Sequence, residues 1–283
     1  MSAAVEQALE KNLPHGEVYA EPVVAAVRYS LLAPGKRIRP VLTMLSAEVA
    51  GGEPGSVIEA AAAVEMIHTA SLILDDLPCM DDSMLRRGRE TLHRHTNEST
   101  AVLAADALLM QAFSLIGNSV ATSRLSVREA GRLVQDAADC VGVAGMIGGQ
   151  WKDLNPGESS FESLEYVHSH KTGRLFILCA TLGARLSGAN KKVVECLASY
   201  AKNLGLAFQI TDDILNHEST PSVLGKDTGT DTNRVTFVTT FGPGAARELA
   251  TELVQTAKAS LGPFGAKGRL LYQLADYVLS RKK

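Results

Sequence analysis

Two aspartate pairs each follow a mostly apolar stretch of the chain. Asp75 and Asp76 come directly after Leu74, and Asp81 lies beyond Pro78. Because proline cannot continue a helical hydrogen-bond ladder, the chain turns at that point, and the turn can bring Asp81 back toward Asp75. Carboxylates this close repel each other unless cations neutralise them. Oxygen ligands with room for water suit Mg²⁺; a solvated acidic loop is the alternative interpretation of this motif alone.

The second pair, Asp212 and Asp213, belongs to the segment 208–216. Gln209, Asp212, Asp213 and Asn216 follow i, i+3, i+4, i+7 spacing and therefore share one helix face. One acidic pair is weak support for a metal site. Two pairs, each at the end of an apolar helix and able to face one another across a bundle, favour a site for several metal ions.

Basic and imidazole side chains flank the first acidic motif. His68 lies seven residues before Asp75, two turns along the same helix face, and Arg86, Arg87 and Arg89 follow shortly after it. A histidine on an apolar helix is more often a core residue, and these arginines can also pair with the acids at the surface. In the functional interpretation they hold a diphosphate, with metal on one side and guanidinium on the other.

A second cluster of cations begins a predicted helix near the N-terminus. Lys36, Arg37 and Arg39 fall within four residues of each other, after Pro34 and Gly35. Helix N-termini and basic side chains both favour phosphate, so an anion site competes with a solvated basic turn. The segment is not a P-loop, because the upstream glycine and the Ser/Thr partner are missing.

The elements that must position these residues are helices. Apolar residues recur at helical spacing, and aromatic residues make up only 5% of the chain, which does not favour a β-sandwich. The predicted helices are 23–32, 39–50, 55–77, 99–122, 127–151, 161–186, 191–216 and 245–260. Clusters of Pro and Gly separate them. Residues 60–74 are apolar on most faces, which predicts a central helix of a single bundle domain spanning 1–283.

Further cations fall at breaks in this pattern. Lys171 precedes Thr172 and Gly173 at a helix break, and Lys226 and Arg234 lie in or beside a polar, Gly/Thr-rich stretch. That stretch, residues 217–233, is predicted to be a mobile loop rather than a domain boundary.

Composition narrows the class of protein. Of 283 residues, 46% are hydrophobic and 21% charged, and the formal net charge of −3 does not favour a nucleic-acid binder. The four cysteines form no CxxC pair, so we expect reduced thiols in a cytoplasmic protein. The N-terminus does not read as a signal peptide, and no uninterrupted apolar run is long enough for stable membrane insertion.

Taken in order, these segments resemble the trans-type isoprenyl diphosphate synthases over essentially the whole chain. The matching pieces are GKRIRP (35–40), EMIHTASLILDDLPCMDDSMLRRG (65–88), GGQ (148–150), HKTGRLF (170–176), FQITDDILN (208–216), LGKDTGTD (224–231) and LADYVLSRKK (274–283). The resemblance implies an all-α fold, a large helical bundle around a central deep cavity. It also implies a short-chain enzyme that makes farnesyl or geranylgeranyl diphosphate.

The resemblance assigns roles to individual residues. Three Mg²⁺ ions are expected on the aspartates of the two motifs, which are Asp75, Asp76, Asp81, Asp212 and Asp213. The allylic diphosphate is expected to contact Arg86, Lys171 and Lys226, and isopentenyl diphosphate to contact Lys36, Arg39, His68 and Arg87. Thr172 and Gln209 are expected to flank the carbocation. Members of this family are usually homodimers.

Two departures from the family pattern concern the second motif. Asn216 stands where the family usually has a third aspartate, which should weaken one outer contact and leave the metal site in place. The segment 230–237 is two residues shorter than usual, with Arg234 where the family has lysine, so the role of Arg234 as a substrate contact stays open.

Product length in this family depends on residues just before the first aspartate pair. Ala70 and Ser71 are small, so we expect a deep pocket and the C20 product, geranylgeranyl diphosphate, with the C15 farnesyl product as the alternative. The pocket floor is expected at Met66 or Ile67, or at Met110 and Phe113.

Three rival interpretations remain at this point. A terpene cyclase has no need of a second diphosphate site, so the basic segment 35–40 and the Arg86–Arg87 pair count against it. A non-catalytic partner subunit is favoured only by Asn216 and the short 230–237 segment. A plain helical scaffold does not account for two acidic pairs converging with several cations.

Overall fold

A computed structural model describes residues 1–157, 160–218 and 235–281. In its N-terminal half, helices follow one another with a single short hairpin between them. The helices are α1 (Ser2–Lys11), α2 (Glu21–Leu31), α3 (Ile38–Val49), α4 (Ile58–Asp75), α5 (Leu92–His95) and α6 (Glu98–Ala121). Strands β1 (Leu85–Arg86) and β2 (Arg89–Glu90) pair antiparallel between α4 and α5.

The regular elements described in the C-terminal half are all helices. It contains α7 (Val127–Val141), α8 (Met146–Leu154), α9 (Phe161–Val167), a π-helical turn (His168–Gly173), α10 (Arg174–Leu186), α11 (Lys191–Glu218), α12 (Phe237–Phe241), α13 (Pro243–Ser260) and α14 (Arg269–Ser280). The predicted all-α helical bundle is confirmed.

Helix α4 is the central element. Residues 60–64 and both Met66 and Ile67 are fully buried, because small and apolar side chains cover nearly every face of this helix. Helices α6, α3, α10 and α1 pack around it. A helix enclosed in this way is a rigid support for the polar residues at its C-terminal end.

Two predicted helices are interrupted. The segment 127–151 divides into α7 and α8 at Gly142–Gly145, and a side chain at Gly145 would lie 2.0 Å from the carbonyl oxygen of Cys140. The segment 161–186 contains the π-helical turn between α9 and α10. Insertions of this kind are frequent at functional sites.

Helices α1 and α14, at the two ends of the chain, were not predicted. Each is short, with only three buried positions: Val5, Ala8 and Leu9 in α1, and Leu271, Ala275 and Val278 in α14. These positions follow helical spacing, i, i+3, i+4 in α1 and i, i+4, i+7 in α14, so the sequence does contain the helical period that the prediction missed.

Helices α4 and α6 are also long and apolar enough to cross a membrane by length and composition. In the apolar window of α4, 67% is buried inside the bundle, against 39% for α6. Core helices of globular proteins meet the same test, so we assign α4 to the core. Less of α6 is buried, and Leu103 and Met110 on it are exposed.

Candidate active site

The first acidic motif lies at the C-terminal end of α4. The chain turns back after Pro78, and the backbone N–H of Asp81 donates to the carbonyl of Asp75 at 2.9 Å. Asp76 is buried and accepts hydrogen bonds from the guanidinium of Arg86, with Nε at 2.9 Å from Oδ1. Burial alone lowers the pKa of Arg86, but this bond and the nearby carboxylates outweigh it and raise the pKa. The hydrogen bond between the backbone groups of Asp81 and Asp75 shows that the expected turn after Pro78 is present.

Lys171 joins the first motif to α8. Its Nζ lies 2.8 Å from Asp153 and 3.4 Å from Asp75, so one ammonium group bridges two helices. A side chain at Gly149 would lie 2.2 Å from the backbone nitrogen of Lys171. This glycine therefore lets α8 approach the π-helical turn closely enough for Asp153, one turn further on, to reach Lys171. Asp153 was not among the predicted site residues.

The second motif contacts the same π-helical turn. Thr172 donates a hydrogen bond from Oγ1 to Oε1 of Gln209 at 3.0 Å. The amide of Gln209 donates to Asp213 at 3.2 Å, and Nε2 of His168 lies 3.7 Å from the other oxygen of Asp213. The turn His168–Gly173 thus touches both acidic motifs, which places them on one site.

Asp212 pairs with a residue that the motifs did not single out. Nη1 of Arg281, beyond the end of α14, lies 2.7 Å from Oδ1 of Asp212. The C-terminal segment was included in the resemblance, but Arg281 itself was given no role. Its position depends on how α14 packs against α11, which spacing along the chain does not reveal.

Lys36, Arg37 and Arg39, the three cations at the start of α3, differ in burial and in their contacts. The guanidinium of Arg37 is buried and bonds to Glu65 at 2.8 Å, to Glu6 of α1 at 2.7 Å, and to two backbone carbonyls. Its donors are therefore used within the protein. Lys36 is exposed, while Arg39 is buried with its guanidinium 4.9 Å from the ring of Phe176. Burial lowers the pKa of Arg39.

His68 lies near four guanidinium groups. Burial holds the pKa of its imidazole well below the usual value of 6.5, and the charges of Arg39, Arg87, Arg86 and Arg37 lower it further. The ring is therefore neutral at physiological pH, and it can donate one hydrogen bond while its other nitrogen accepts. A neutral imidazole that donates a hydrogen bond, together with the arginines around it, is suited to bind an anionic ligand.

Backbone strain is concentrated beside these residues. Among the described residues, positive φ in a non-glycine residue occurs at Arg37 (51°), Asp82 (46°) and Arg87 (55°). Each such conformation costs about 1–3 kcal/mol and persists only where the surroundings impose it. All three lie in the segments that carry the predicted diphosphate contacts.

The residues expected to set product length lie within α4. Ala70 is fully buried, and Oγ of half-buried Ser71 donates to the carbonyl of His68 at 2.8 Å. Met110 is 65% exposed on the outside of α6, so its prediction as part of the floor within one chain is wrong. Lys226 and Arg234, two predicted substrate contacts, lie outside the described residues.

The donor set at the two motifs fits Mg²⁺. Within the described parts of the chain, no three His, Cys, Asp or Glu side chains converge closely enough to hold a metal ion by themselves. The acids at the site offer only oxygen, and Mg²⁺ usually takes one or two carboxylates and completes its shell with water and substrate phosphate. The arrangement suits an ion that arrives with a phosphorylated ligand.

Comparison with known proteins defines the class. Residues 21–258 match the family model of polyprenyl synthetase. The chain is 41% identical over 282 residues to a dimethylallyltranstransferase of Fischerella ambigua (strain UTEX 1903), covering 98% of this chain and 80% of the relative. It is also 41% identical over 289 residues to geranylgeranyl pyrophosphate synthase 11, chloroplastic, of Arabidopsis thaliana, covering 98% and 79%.

A solved structure shares the fold. The geranyltransferase of Helicobacter pylori, complexed with magnesium and isoprenyl diphosphate, superimposes with a TM-score of 0.83 at 29% identity, covering 97% of this chain and 92% of that one. The chain belongs to the polyprenyl synthetase family. It is a trans-prenyltransferase.

Proposed function

We propose that this enzyme condenses isopentenyl diphosphate head to tail with the allylic diphosphates dimethylallyl, geranyl and farnesyl diphosphate, and releases geranylgeranyl diphosphate. The observation that carries the proposal is the π-helical turn, where Lys171 contacts the first acidic motif and Thr172 contacts Gln209 beside the second. The two acidic motifs meet at this turn, and a second group of cations, which includes Arg39 and Arg87, lies near His68 on the helix that ends in the first motif. Two groups of cations provide for two diphosphates. A terpene cyclase binds only one.

Mg²⁺ is the proposed cofactor, with three ions expected. Asp75, Asp76 and Asp81 would hold it at the first motif, and Asp212 and Asp213 at the second. When bound, the metal neutralises the developing charge of the leaving diphosphate. The relative from Helicobacter pylori, which was solved with magnesium and isoprenyl diphosphate, supports this proposal.

The side chains of the protein bind and orient the two substrates. Arg86 and Lys171, with Lys226 expected alongside, would bind the allylic diphosphate and stabilise the charge left when its C–O bond breaks. Lys36, Arg39, His68 and Arg87 would hold isopentenyl diphosphate. The role of Arg234 stays open.

Two polar side chains would face the carbocation. The oxygens of Thr172 and Gln209 lie 3.0 Å apart, and together they would stabilise its positive charge. The double bond of isopentenyl diphosphate supplies the electron pair of the new C–C bond, and the proton then lost is taken by the released diphosphate.

Product length follows from the small residues before Asp75. Because Ala70 and Ser71 are small, the C20 product is expected, and relatives named geranylgeranyl pyrophosphate synthase support it. Incubating the purified chain with dimethylallyl and isopentenyl diphosphates tests both activity and length. Mainly C15 product would support the farnesyl alternative, and no turnover would support a regulatory subunit.

Ala70→Tyr provides a sharper test of the chain-length assignment. An aromatic ring at this fully buried position should block elongation and shift the product from C20 toward C15. Ala245→Tyr, which adds the same ring at an exposed position of α13, is the matched control and should leave product length unchanged. An unchanged C20 product from a folded Ala70→Tyr enzyme would place the floor elsewhere.

We also propose that the chain is one domain and forms a homodimer through α6. Leu103 and Met110 are seven residues apart on one face of α6 and are 54% and 65% exposed. A second copy of the chain would cover this apolar face. No nucleic-acid partner and no stable membrane insertion are proposed.

The proposed compartment is the cytoplasm. Support comes from the four cysteines, which are all free. Some relatives carry names that include chloroplastic or mitochondrial, so fractionation of the cells that make the protein is the direct test.

A further inference from the structure

Arg281 is a buried cation at the C-terminal end of the described chain. Only 2% of its side chain is exposed, and Nη1 lies 2.7 Å from Oδ1 of Asp212. Nη2 donates to the carbonyl of Phe208 at 2.7 Å, and Nε donates to the carbonyl of Val278 at 3.3 Å. The guanidinium carbon also lies 3.9 Å from the centre of the Phe208 ring.

These contacts fix the guanidinium in place. Backbone carbonyls and an aromatic face hold it independently of Asp212, and the carboxylate is the only acidic partner that the structure gives it within the described residues. Removing such a cation from its aromatic and carbonyl contacts would be costly. Arg281 therefore stays beside Asp212 whether or not a ligand is present.

The two cations at the first motif differ from Arg281 in exposure. Lys171 and Arg86, which pair with Asp75 and Asp76, are 22% and 21% exposed. In the proposed function, Lys171 and Arg86 both bind the allylic diphosphate. Asp75 and Asp76 then bind metal in place of these two cations. Arg281 cannot leave Asp212 to bind a diphosphate in the same way, because its side chain is enclosed by protein.

We propose that Arg281 is a permanent internal counter-ion of Asp212 that weakens divalent-cation binding at the second motif until a diphosphate is present. Its positive charge repels a metal ion at the free oxygen of Asp212, and the charge of a bound diphosphate offsets that repulsion. Metal uptake at the second motif is thereby coupled to substrate. This inference rests on the proposed function, and it makes Arg281 a positioning residue outside the matched family segment 21–258.

Binding of Mn²⁺ alone, measured by the electron paramagnetic resonance signal of the free ion, tests the inference without turnover. Arg281→Gln should bind Mn²⁺ on the order of tenfold more tightly than the unsubstituted protein, because a repelling charge a few ångström away is removed. Adding inorganic pyrophosphate should enhance Mn²⁺ binding strongly in the unsubstituted protein and less in Arg281→Gln. Arg281→Met, which keeps an unbranched stem against Phe208, should behave as Arg281→Gln does and serves if the glutamine variant does not fold.

Asp276→Asn is the matched control, because Asp276 pairs with Lys258 between α14 and α13, whereas Arg281 pairs with Asp212. It should leave Mn²⁺ binding unchanged. In an Asp212→Asn background, Arg281→Gln should no longer tighten binding. Unchanged or weaker Mn²⁺ binding by folded Arg281→Gln and Arg281→Met would overturn the inference, as would a gain that persists without Asp212. Absence of product from the unsubstituted enzyme would instead contradict the proposed function alone.

Discussion

Lys171 shares its ammonium group between Asp153 and Asp75, and only one of these acids could be predicted from sequence. Asp75 belongs to a paired motif, whereas Asp153 is a single acid on α8. Its importance follows from the close approach of α8 to the π-helical turn. An isolated carboxylate carries no signal until the packing of two helices is known.

Asp153→Asn should lower kcat/KM for the allylic substrate about tenfold. The amide keeps the shape of the side chain but loses the charge that orients Lys171, and outer partners of a ligand-binding group typically contribute factors of 10–100. Steady-state kinetics with dimethylallyl diphosphate measures the effect. Asp136→Asn, which removes the surface partner of Arg185, is the control and should leave kcat/KM unchanged. Equal kinetics in the two variants would contradict a role for Asp153.

His68 should make stability depend on pH. Its folded-state pKa lies well below 6.5, because of burial and neighbouring arginines, so the unfolded chain binds the proton more readily. The unfolded state therefore gains protons first as pH falls below about 6.5, and the free energy of unfolding decreases there.

His68→Gln, which cannot be protonated, should flatten this loss. Thermal unfolding followed by circular dichroism between pH 7.5 and about pH 5 compares the variants. His15→Gln, at an exposed position, is the control and should retain the slope of the unsubstituted protein. A slope in His68→Gln as steep as in the unsubstituted protein would show that other groups cause the loss.

At the scale of elements, α4 and the π-helical turn differ in how far sequence predicts them. Apolar residues on most faces of residues 60–74 identified α4 as a central helix, and Pro78 identified the turn that follows it. The sequence predicted a helix over 161–186 with a break at Lys171–Gly173, but it did not indicate that this break is a π-helical turn. Its position depends on contacts with α8 and α11, which lie far away in sequence.

The close approach of α8 to the π-helical turn makes Gly149 sensitive. In Gly149→Ala the new methyl group would lie 2.2 Å from the backbone nitrogen of Lys171, so a helix must shift. We expect a loss of about 1–3 kcal/mol in the free energy of unfolding, together with reduced activity. Gly131→Ala is the control, because its side chain meets open space on exposed α7. Gly131→Ala should leave the free energy of unfolding unchanged or raise it by up to about 1 kcal/mol. Urea denaturation measures the free energy of unfolding of both variants. Equal stabilities of Gly149→Ala and Gly131→Ala would contradict the close approach of α8 to the π-helical turn.

At the scale of the whole molecule, residues near both ends of the described chain contact residues of the site. Glu6 of α1 bonds to Arg37, and Arg281 bonds to Asp212. Both residues lie outside the segment 21–258 that matches the family. The site is therefore complete only when the terminal helices have packed against the bundle, a dependence that no local motif encodes.

The outward face of α6 carries the exposed apolar residues Leu103 and Met110. Met110→Glu places a charge at the centre of that face, where burial in a dimer would desolvate it at considerable cost. We expect the substituted chain to be monomeric at micromolar concentration, whereas the unsubstituted chain is dimeric. Size-exclusion chromatography with multi-angle light scattering measures the mass directly. Tyr19→Glu changes a residue that is 97% exposed and distant from α6 in sequence, and it should remain dimeric. A Met110→Glu chain that is still dimeric would place the subunit interface on another face, and α6 would then need a different partner.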